Sequence, residues 1–271
     1  MGKVRIYVLY HCDNSSEIAH RIASEDRDIF IPVRLNPHHL FESQFYLRLE
    51  PENWSLFEYV GTITYSFEQK LGVSALEAVR SAWEKHRGSD VIALNNDSSP
   101  RSIHIEGTAG HGEGFSEAWI TLLTKMGYAR ADILSERHPV CYNNFWMARP
   151  GVLRMYCEFV RKAYAAVQSS QRISDIFGQD SLCSSRLSAE QLTVIFGKPY
   201  YALHPFVFER LACFFFSAHG FTIGLARGRQ MSKDSMESSR LRSVASLVSE
   251  IIAILMSLVT GFLLVWTIRP K

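Results

Sequence analysis

Cysteine is scarce in this chain of 271 residues, and the cysteines that it has are not arranged in pairs. The five cysteines are widely spaced and include no CxxC pair; they are Cys12, Cys141, Cys157, Cys183 and Cys213. An odd number without paired spacing argues against a disulfide framework and against a zinc ribbon. The simplest interpretation is a protein of a reducing compartment.

The chain also lacks a strong net charge of either sign. The formal net charge is +2, and no run of Lys or Arg is long enough to follow a phosphate backbone, so we expect no nucleic-acid partner. The chain lacks HExxH, a P-loop and the Ser–His–Asp order of hydrolases. No apolar run long enough for a secretory signal precedes the first predicted strand.

What the chain does contain is an alternation of strand-like and helix-like segments. Apolar runs at 4–10, 29–35 and 90–94 predict strands, and the spacing in 73–86 predicts a helix. Segments 38–48 and 54–71 are rich in aromatic residues and are predicted to be helical in part, whereas 169–187 is predicted to be a loop. This alternation predicts an α/β layer fold with a largely parallel sheet.

The block from His138 to Tyr156 is the most informative stretch. Its residues from Val140 to Met147 are mostly apolar or aromatic, which predicts a buried strand, and Pro150 suits the first turn of the helix that follows. Asn143 and Asn144 lie inside the predicted strand, where an unpaired amide costs about 1–3 kcal/mol. Either these amides fix local backbone or they face a polar ligand at a strand end.

Charged residues also interrupt the apolar stretch 200–216. His204, Glu209 and Arg210 lie in the middle of it, and buried charges must be paired or bind something. A structural ion pair between Glu209 and Arg210 is the simplest explanation.

Two segments are candidates for binding a diphosphate or a metal ion. Gly110, Gly112 and Gly114 precede a predicted helix at 115–125, and a glycine-rich loop there can cradle a diphosphate or can be an ordinary surface loop. Asp97 follows the strand at 90–94, but one carboxylate makes a poor divalent-cation site unless other oxygen ligands join it. The sequence DRD at 26–28 precedes a strand and is interpreted as a solvated turn.

The C-terminal part differs from the rest. The run from Ile251 to Ile268 carries no charge and is long enough to cross a membrane; the alternative is a buried core helix. We therefore expect a domain at 1–226, a linker at 227–242 and a C-terminal anchor at 243–271. Basic residues are denser before the run than after it, which predicts that the large domain is cytosolic.

The chain resembles a glycosyltransferase-like domain family that is associated with exopolysaccharide and capsule synthesis and is grouped with GT-A-type transferases. The resemblance rests on IYVLYH at the first strand, on EYVGTITY at 58–65, on NNFWMARPGVLRMYCEF and on the late HPFVFERL, which occur in the same order. The corresponding positions in this chain are His11, Glu58, Thr62, Asn143, Asn144, Glu209 and Arg210. The resemblance implies a Rossmann-like, GT-A-type layered fold.

The same resemblance implies a transferase that moves a sugar from a nucleotide-sugar donor to a glycan or a lipid-linked acceptor. His11 and Asn14 would hold the nucleotide, and Asp97, or the glycine loop with His111, would lie near the diphosphate. Asn143 and Asn144 would bind sugar hydroxyls above an apolar platform at Trp146. Arg210 would neutralise phosphate charge, and Glu58 and Glu209 are the candidates for the base.

Three alternatives or additions remain open. A divalent cation, Mn²⁺ or Mg²⁺, would depend on Asp97, because the family's DxD motif is lacking. A catalytically inactive glycan- or nucleotide-binding module on a membrane tail would retain the fold without turnover. An assembly protein would instead use the aromatic residues of 54–67 as a contact surface.

Overall fold

The computed structural model describes residues 4–49, 53–95, 102–139, 141–183 and 187–226. The chain divides into two units, Met1–Gly228 and Arg229–Lys271, and all the described residues belong to the first. The strands are β1 (Val4–Tyr10), β2 (Phe30–Arg34), β3 (Tyr59–Thr64), β4 (Val91–Ala93), β5 (Trp146–Ala148) and β6 (Ile223–Leu225). They form one six-stranded sheet in the order β2-β1-β3-β5-β4-β6.

The sheet is mostly parallel, as the sequence predicts. β1 is parallel to β2 and β3, and β4 is parallel to β6, whereas β5 is antiparallel to both β3 and β4. The amino end of β5 therefore lies at the same edge of the sheet as the carboxyl ends of β3 and β4. This mixed edge becomes important for the site.

Helices cover both faces of the sheet. They are α1 (Asp13–Glu25), α2 (Gln44–Arg48), α3 (Phe67–Leu71), α4 (Ala75–His86), α5 (Ile103–His111), α6 (Glu113–Lys125), α7 (Arg130–Ile133), α8 (Pro150–Gln168), α9 (Gln171–Phe177), α10 (Ala189–Phe196) and α11 (His204–Ala218). One apolar cluster joins Ile6 and Val8 of β1 to buried residues of α1 and α4. A second joins Leu9 and Val60 to α6, α8 and α11, which gives the layered α/β architecture.

Several helix predictions are confirmed. α8 begins at Pro150, which lacks the N–H that a first-turn residue would leave unpaired. α4 lies within the predicted segment 73–86, and the hydroxyl of Ser74 accepts a hydrogen bond from the Glu77 N–H as its N-cap.

Segment 54–71 is helical in part, as predicted, at Trp54–Leu56 and Phe67–Leu71, but its centre is a strand that the sequence analysis did not predict. Residues Tyr59–Thr64 form β3, which is buried on both faces and so lacks the alternation of a half-exposed strand. Gly61 makes the close pairing possible, because a Cβ at this position would lie 2.3 Å from the Trp146 carbonyl oxygen. The β-branched residues Thr62, Ile63 and Thr64 are the feature of the sequence that favours a strand here.

Two predicted loops were also wrong in part. Residues 103–111 form α5. Gly107 lies within this helix, and a larger residue would not fit there because its Cβ would lie 2.0 Å from the Phe115 ring. Gly112, at φ 78°, separates α5 from α6, and Gly114 lies inside α6. Residues 171–177 of the other predicted loop form α9.

The predicted strand 140–147 is shorter than expected, because Tyr142–Asn144 form a 3₁₀ turn and only Trp146–Ala148 pair in the sheet. Among the described residues no helix has the length and apolar character needed to span a membrane. The predicted linker at 227–242 and the predicted anchor from Ile251 to Ile268 lie outside the described residues.

Candidate functional site

A cavity of about 170 Å³ lies at the edge where β1 and β3 end and β5 begins. Its wall includes Phe41, Glu42, Lys70, Asn144, Phe206 and Glu209. Ligands of open α/β sheets bind outside the carboxyl ends of the strands. The position of the cavity therefore fits a binding site, and the adjacent side chains show what it can bind.

The floor of the cavity is a turn in which two successive asparagines adopt left-handed backbone conformations. Asn143 has φ 58° and Asn144 has φ 56°, which asparagine tolerates better than most residues other than glycine. The Asn143 N–H donates to Glu209 Oε1 at 2.6 Å, and Lys70 Nζ donates to Asn143 Oδ1 at 2.6 Å. The turn is thus held from two sides by charged groups.

A third hydrogen bond holds the turn from below. Thr62 Oγ1 donates to the Asn144 carbonyl oxygen at 2.7 Å and lies 2.6 Å from the Tyr46 hydroxyl oxygen. All three residues are buried. Thr62, predicted as a binding residue, therefore supports the turn rather than facing the cavity.

The side-chain oxygen of Asn144 has no hydrogen-bond partner among the described residues. Asn144 is 2% exposed, and its Oδ1 is buried although the residue lies on the cavity wall. An unsatisfied buried acceptor costs about 1–3 kcal/mol, so such atoms are rare in folded proteins. Asn144 is a wall residue of the cavity, so a small rotation of its side chain would bring this oxygen within hydrogen-bonding reach of a ligand.

Glu42 and His11 form a second polar group at this edge. His11 Nε2 lies 3.1 Å from Glu42 Oε1, and both side chains are 28% exposed. Burial alone would raise the pKa of the Glu42 carboxyl, but the hydrogen bond with His11 and the nearby charges of His11 and Lys70 outweigh it. The pKa of Glu42 is therefore lowered, and its side chain is a carboxylate at neutral pH.

Four of the predicted residues thus come together at one edge: His11, Asn143, Asn144 and Glu209. Asn14 lies close to them in sequence but is exposed on α1 and is not part of the cavity wall. Asp97 lies outside the described residues.

Glu58 is at the wrong end of β3 for the predicted role. It immediately precedes the strand, so it lies at the amino edge, opposite the cavity. There it accepts a hydrogen bond from Trp83 Nε1 at 3.2 Å. Its distance from the cavity follows from the finding that 59–64 is a strand.

Trp146 is not an apolar platform, because it is fully buried. Its ring stacks on Tyr46 with centroids 5.3 Å apart and contacts Tyr156 edge to face. The aromatic residues on the cavity wall are Phe41 and Phe206.

Arg210 makes no ion pair with Glu209, contrary to the simplest sequence interpretation. Its guanidinium lies 5.1 Å from the Tyr142 ring centroid and 5.4 Å from that of Phe115, and Nη1 donates to the Phe206 carbonyl oxygen. It is absent from the cavity wall, where the basic residue is Lys70.

His111 is buried and its ring stacks on that of Phe206, with centroids 4.0 Å apart. Burial, together with the neighbouring charge of Arg210, lowers the pKa of His111 to about 4. The predicted diphosphate loop is therefore the end of α5, and its histidine packs in an aromatic cluster.

No group of three or more His, Cys, Asp or Glu side chains within the described ranges could hold a metal ion. Of the two carboxylates at the cavity, Glu42 already contacts His11, and the Lys70 ammonium lies close by. This is a poor donor set for Mg²⁺ or Mn²⁺, which prefer several oxygen ligands.

Sequence reasoning missed Phe41, Glu42, Lys70 and Phe206. Their separation in sequence gave no local signal, because the wall forms only when the 3₁₀ turn Phe41–Ser43, α3 and α11 converge on the sheet edge. Comparison of the chain with protein-family models, with curated proteins and with solved structures found no significant match.

Proposed function

We propose that this protein is a glycosyltransferase-like protein that binds a nucleotide sugar at the cavity and transfers the sugar to a glycan or a lipid-linked acceptor. The proposal includes a GT-A-type fold and a C-terminal membrane anchor with the large domain in the cytosol. The observation that carries it is Asn144, which lines a cavity at the carboxyl edge of the sheet and whose buried Oδ1 has no partner among the described residues.

The cavity wall matches the two kinds of surface that a sugar ring presents. Hydroxyl groups at the rim of the ring would donate to Asn144 Oδ1 and to the carboxylates, as buried acceptors require. The C–H face of the ring would pack on Phe41 or Phe206, which lie on the same wall. Those aromatic residues replace Trp146 in the predicted role of platform.

Glu209 is the carboxylate proposed as the base. One of its oxygens is held by the Asn143 N–H, which orients the side chain on the wall. In the transfer, the acceptor hydroxyl oxygen bonds to the anomeric carbon and its proton passes to Glu209. The bond from that carbon to the phosphate oxygen breaks, and its electron pair leaves with the nucleoside diphosphate.

Lys70 is proposed to compensate the charge of the leaving diphosphate. Its hydrogen bond is to a neutral amide oxygen, and its ammonium lies on the cavity wall, unlike the guanidinium of Arg210. A positive group at the leaving group is the electrostatic stabilisation that phosphate departure requires. A divalent cation bound with the help of Asp97 is the competing proposal for the same role.

An inactive binding module is the second candidate. The position of Glu58 at the amino edge favours it, because only one of the two predicted bases remains at the cavity. Such a module would use Asn144 and the aromatic wall for binding and would release no nucleoside diphosphate.

The test is titration of the full-length protein with UDP- and GDP-sugars, with Mn²⁺ or with EDTA, together with an assay for released diphosphate. Binding that is lost in Asn144→Gly, with turnover in the wild type, supports the transferase. Binding without turnover towards any acceptor supports the module. Absence of binding to every nucleotide sugar contradicts both the donor assignment and the transferase.

A further inference from the structure

We infer that a separate ligand site lies at the carboxyl end of β2 and binds a phosphate monoester of a small organic molecule. The inference goes beyond the proposed function, which uses only the cavity described above. It follows from another cavity at the same edge of the sheet, from the charges on its wall and from a buried acceptor on that wall.

The site is a cavity of about 260 Å³, which we call the β2 cavity. Its wall is formed by residues 33–36, at the end of β2, and by residues 44–45 and 48–49, in and after α2. Because β1 and β2 are parallel, the β2 cavity lies at the same edge of the sheet as the first cavity. This is the edge at which open α/β sheets bind their ligands.

A short segment separates the β2 cavity from the first cavity. The 3₁₀ turn Phe41–Ser43 lines the first cavity, whereas α2, which begins at Gln44, lines the β2 cavity. Gln44 fixes this partition, because its Nε2 donates to the carbonyl oxygens of Phe41 at 2.9 Å and of Asn36 at 2.8 Å. Among the described residues the two cavities share no wall residue, so each can hold its own ligand.

The ionisable side chains on the described wall of the β2 cavity are both arginines. Arg48 forms no ion pair among the described residues. Arg34 Nη2 lies 3.4 Å from Asp13 Oδ1, and because these side chains are 62% and 93% exposed the pair holds the guanidinium only weakly. Asp13 lies outside the wall, and Arg161, which donates to the Leu49 carbonyl oxygen at 2.8 Å, adds a positive charge beside it. The described charges therefore favour an anion.

A phosphate monoester matches the two guanidinium groups in charge and in number of oxygen atoms. It carries a charge of about −1.5 to −2 at pH 7 and three acceptor oxygens, whereas a carboxylate carries one charge and two oxygens. Guanidinium groups bind phosphate oxygens through paired N–H donors, which gives the contact both strength and direction. Two arginines on one wall can thus neutralise a monoester dianion.

The rest of the wall favours an organic ester over a bare phosphate ion. Phe45, Leu35 and Leu49 are buried apolar residues, which suit carbon atoms and not phosphate oxygens. Gln44 is 1% exposed, and its Oε1 is a buried acceptor without a partner among the described residues. With a small shift of the wall, a hydroxyl group of the ester would supply the donor that this oxygen lacks.

The experiment compares glycerol 3-phosphate with inorganic phosphate and with glycerol. Glycerol 3-phosphate combines a phosphate with a short carbon chain and two hydroxyl groups, and each comparison compound lacks one of these parts. Binding to the full-length protein is measured by calorimetry in a buffer free of phosphate. We expect glycerol 3-phosphate to bind at least about fivefold more tightly than inorganic phosphate, and glycerol to show no binding.

Charge-removing variants locate the binding. Arg48→Gln and Arg34→Gln should each weaken the binding of glycerol 3-phosphate at least about fivefold, because each removes charge-assisted hydrogen bonds. Arg27→Gln makes the same change at an exposed arginine before the start of β2, at the opposite edge, and should leave the affinity unchanged. Asn144→Gly alters the first cavity and should also leave it unchanged. Melting temperatures identify a variant that fails to fold.

Several results would overturn the inference. Inorganic phosphate that binds as tightly as the ester would reveal an adventitious ion only, and glycerol that binds as tightly would show that the phosphate is not recognised. Equal weakening in Arg27→Gln would reveal a general attraction to surface charge. Loss of binding in Asn144→Gly, with full affinity in both other arginine variants, would place the ester in the first cavity. Absence of binding of the ester would remove the site.

Nucleotide-sugar titrations keep this inference apart from the proposed function. Arg48→Gln should bind nucleotide sugars as the wild type does, and a loss of that binding would make the β2 cavity a part of the donor site, contrary to the inference. Absence of nucleotide-sugar binding in the wild type, with glycerol 3-phosphate still bound, overturns the proposed function and leaves the inference standing.

Discussion

Polar groups at the two edges of the central sheet differ in how fully they are hydrogen-bonded within the protein. At the amino edge, Glu58 accepts from Trp83, the Tyr59 hydroxyl donates to the Arg87 carbonyl at 2.8 Å, and Asp90 accepts from both the N–H and the hydroxyl of Thr222. At the carboxyl edge, Asn144 Oδ1 and Asn95 Oδ1 are buried without a partner among the described residues. Most polar groups at the amino edge are thus bonded within the fold, with Arg5 Nε near the start of β1 as an exception, whereas two amide oxygens at the carboxyl edge have no partner among the described residues.

Backbone conformation shows the same contrast. Phe41, Asn143 and Asn144 have positive φ values, and all three line the cavity. Such residues cost of order 1–3 kcal/mol each and persist only where surrounding contacts fix them. Here Thr62, Lys70 and Glu209 supply those contacts to the asparagines. Three of the five non-glycine residues with positive φ among the described residues therefore lie on the wall that also carries Asn144, while the other two, Asn53 and Leu182, do not.

The largest expected effect contrasts the two glutamates that the sequence proposed as bases. Glu209→Gln should lower the transfer rate by about 10²–10⁴-fold, the usual contribution of a general base. Glu58→Gln changes a carboxylate at the opposite edge and should leave the rate unchanged. Released nucleoside diphosphate measures both rates; equal losses in the two variants would contradict the distinction between the edges.

The hydrogen bond from Thr62 to the turn at Asn143 and Asn144 should affect the stability of the protein more than its affinity for a ligand. Thr62→Val removes the hydroxyl that donates to the Asn144 carbonyl and contacts the Tyr46 hydroxyl, and it leaves both groups buried. We expect a loss of about 1–3 kcal/mol in the free energy of unfolding. Urea unfolding measures it, with Thr193→Val on α10 as the control, because that hydroxyl is exposed. An unchanged unfolding midpoint in Thr62→Val would show that the turn does not depend on this hydrogen bond.

The two asparagines should separate binding from stability. Asn144→Gly removes an amide without a partner for its oxygen and places glycine at φ 56°, so stability should change little while sugar affinity falls about tenfold. Asn143→Gly relieves the same kind of backbone strain but loses the hydrogen bond from Lys70. Calorimetric titration and thermal melts of both variants test this; an Asn144→Gly protein with full affinity would remove the main support for the site.

The sequence predicted much of the layered architecture because its signals were local. β1, α4 and α8 have regular apolar spacing, a suitable cap or a suitably placed proline, and each lies where it was expected. β3 was missed because it is buried on both faces, so its composition differs little from that of an apolar helix.

The site was predicted only in part, for a related reason. His11, Asn143, Asn144 and Glu209 stand out as polar residues in apolar surroundings, and the structure brings them together. Glu42 and Lys70 lie in ordinary polar contexts, and only the packing of the 3₁₀ turn and α3 around the sheet edge brings them to the cavity. Glu58 was expected at the site because the sequence analysis did not predict β3, which places Glu58 at the opposite edge of the sheet.

The smallest effect at neutral pH concerns two histidines, His39 and His204, that line a third cavity. His39 precedes the wall residues at 40–43, and His204 precedes Pro205 and Phe206; their rings meet edge to face with centroids 4.7 Å apart. Burial, followed by the charge of His38, lowers the pKa of His39 to about 4. Burial, followed by the charges of His39, Lys198 and His38, lowers the pKa of His204 to about 3.

Because these pKa values are lower in the folded state than the ordinary 6.5, the unfolded chain takes up protons first as the pH falls. The stability contributed by the neutral rings is complete above pH 6.5 and is lost progressively from there towards about pH 3. We expect the unfolding midpoint in urea to fall over this range and to fall less steeply in His204→Asn. His20→Asn on the exposed face of α1 should keep the wild-type slope. The same slope in all three proteins would show that the stability of the fold does not depend on these histidines being neutral.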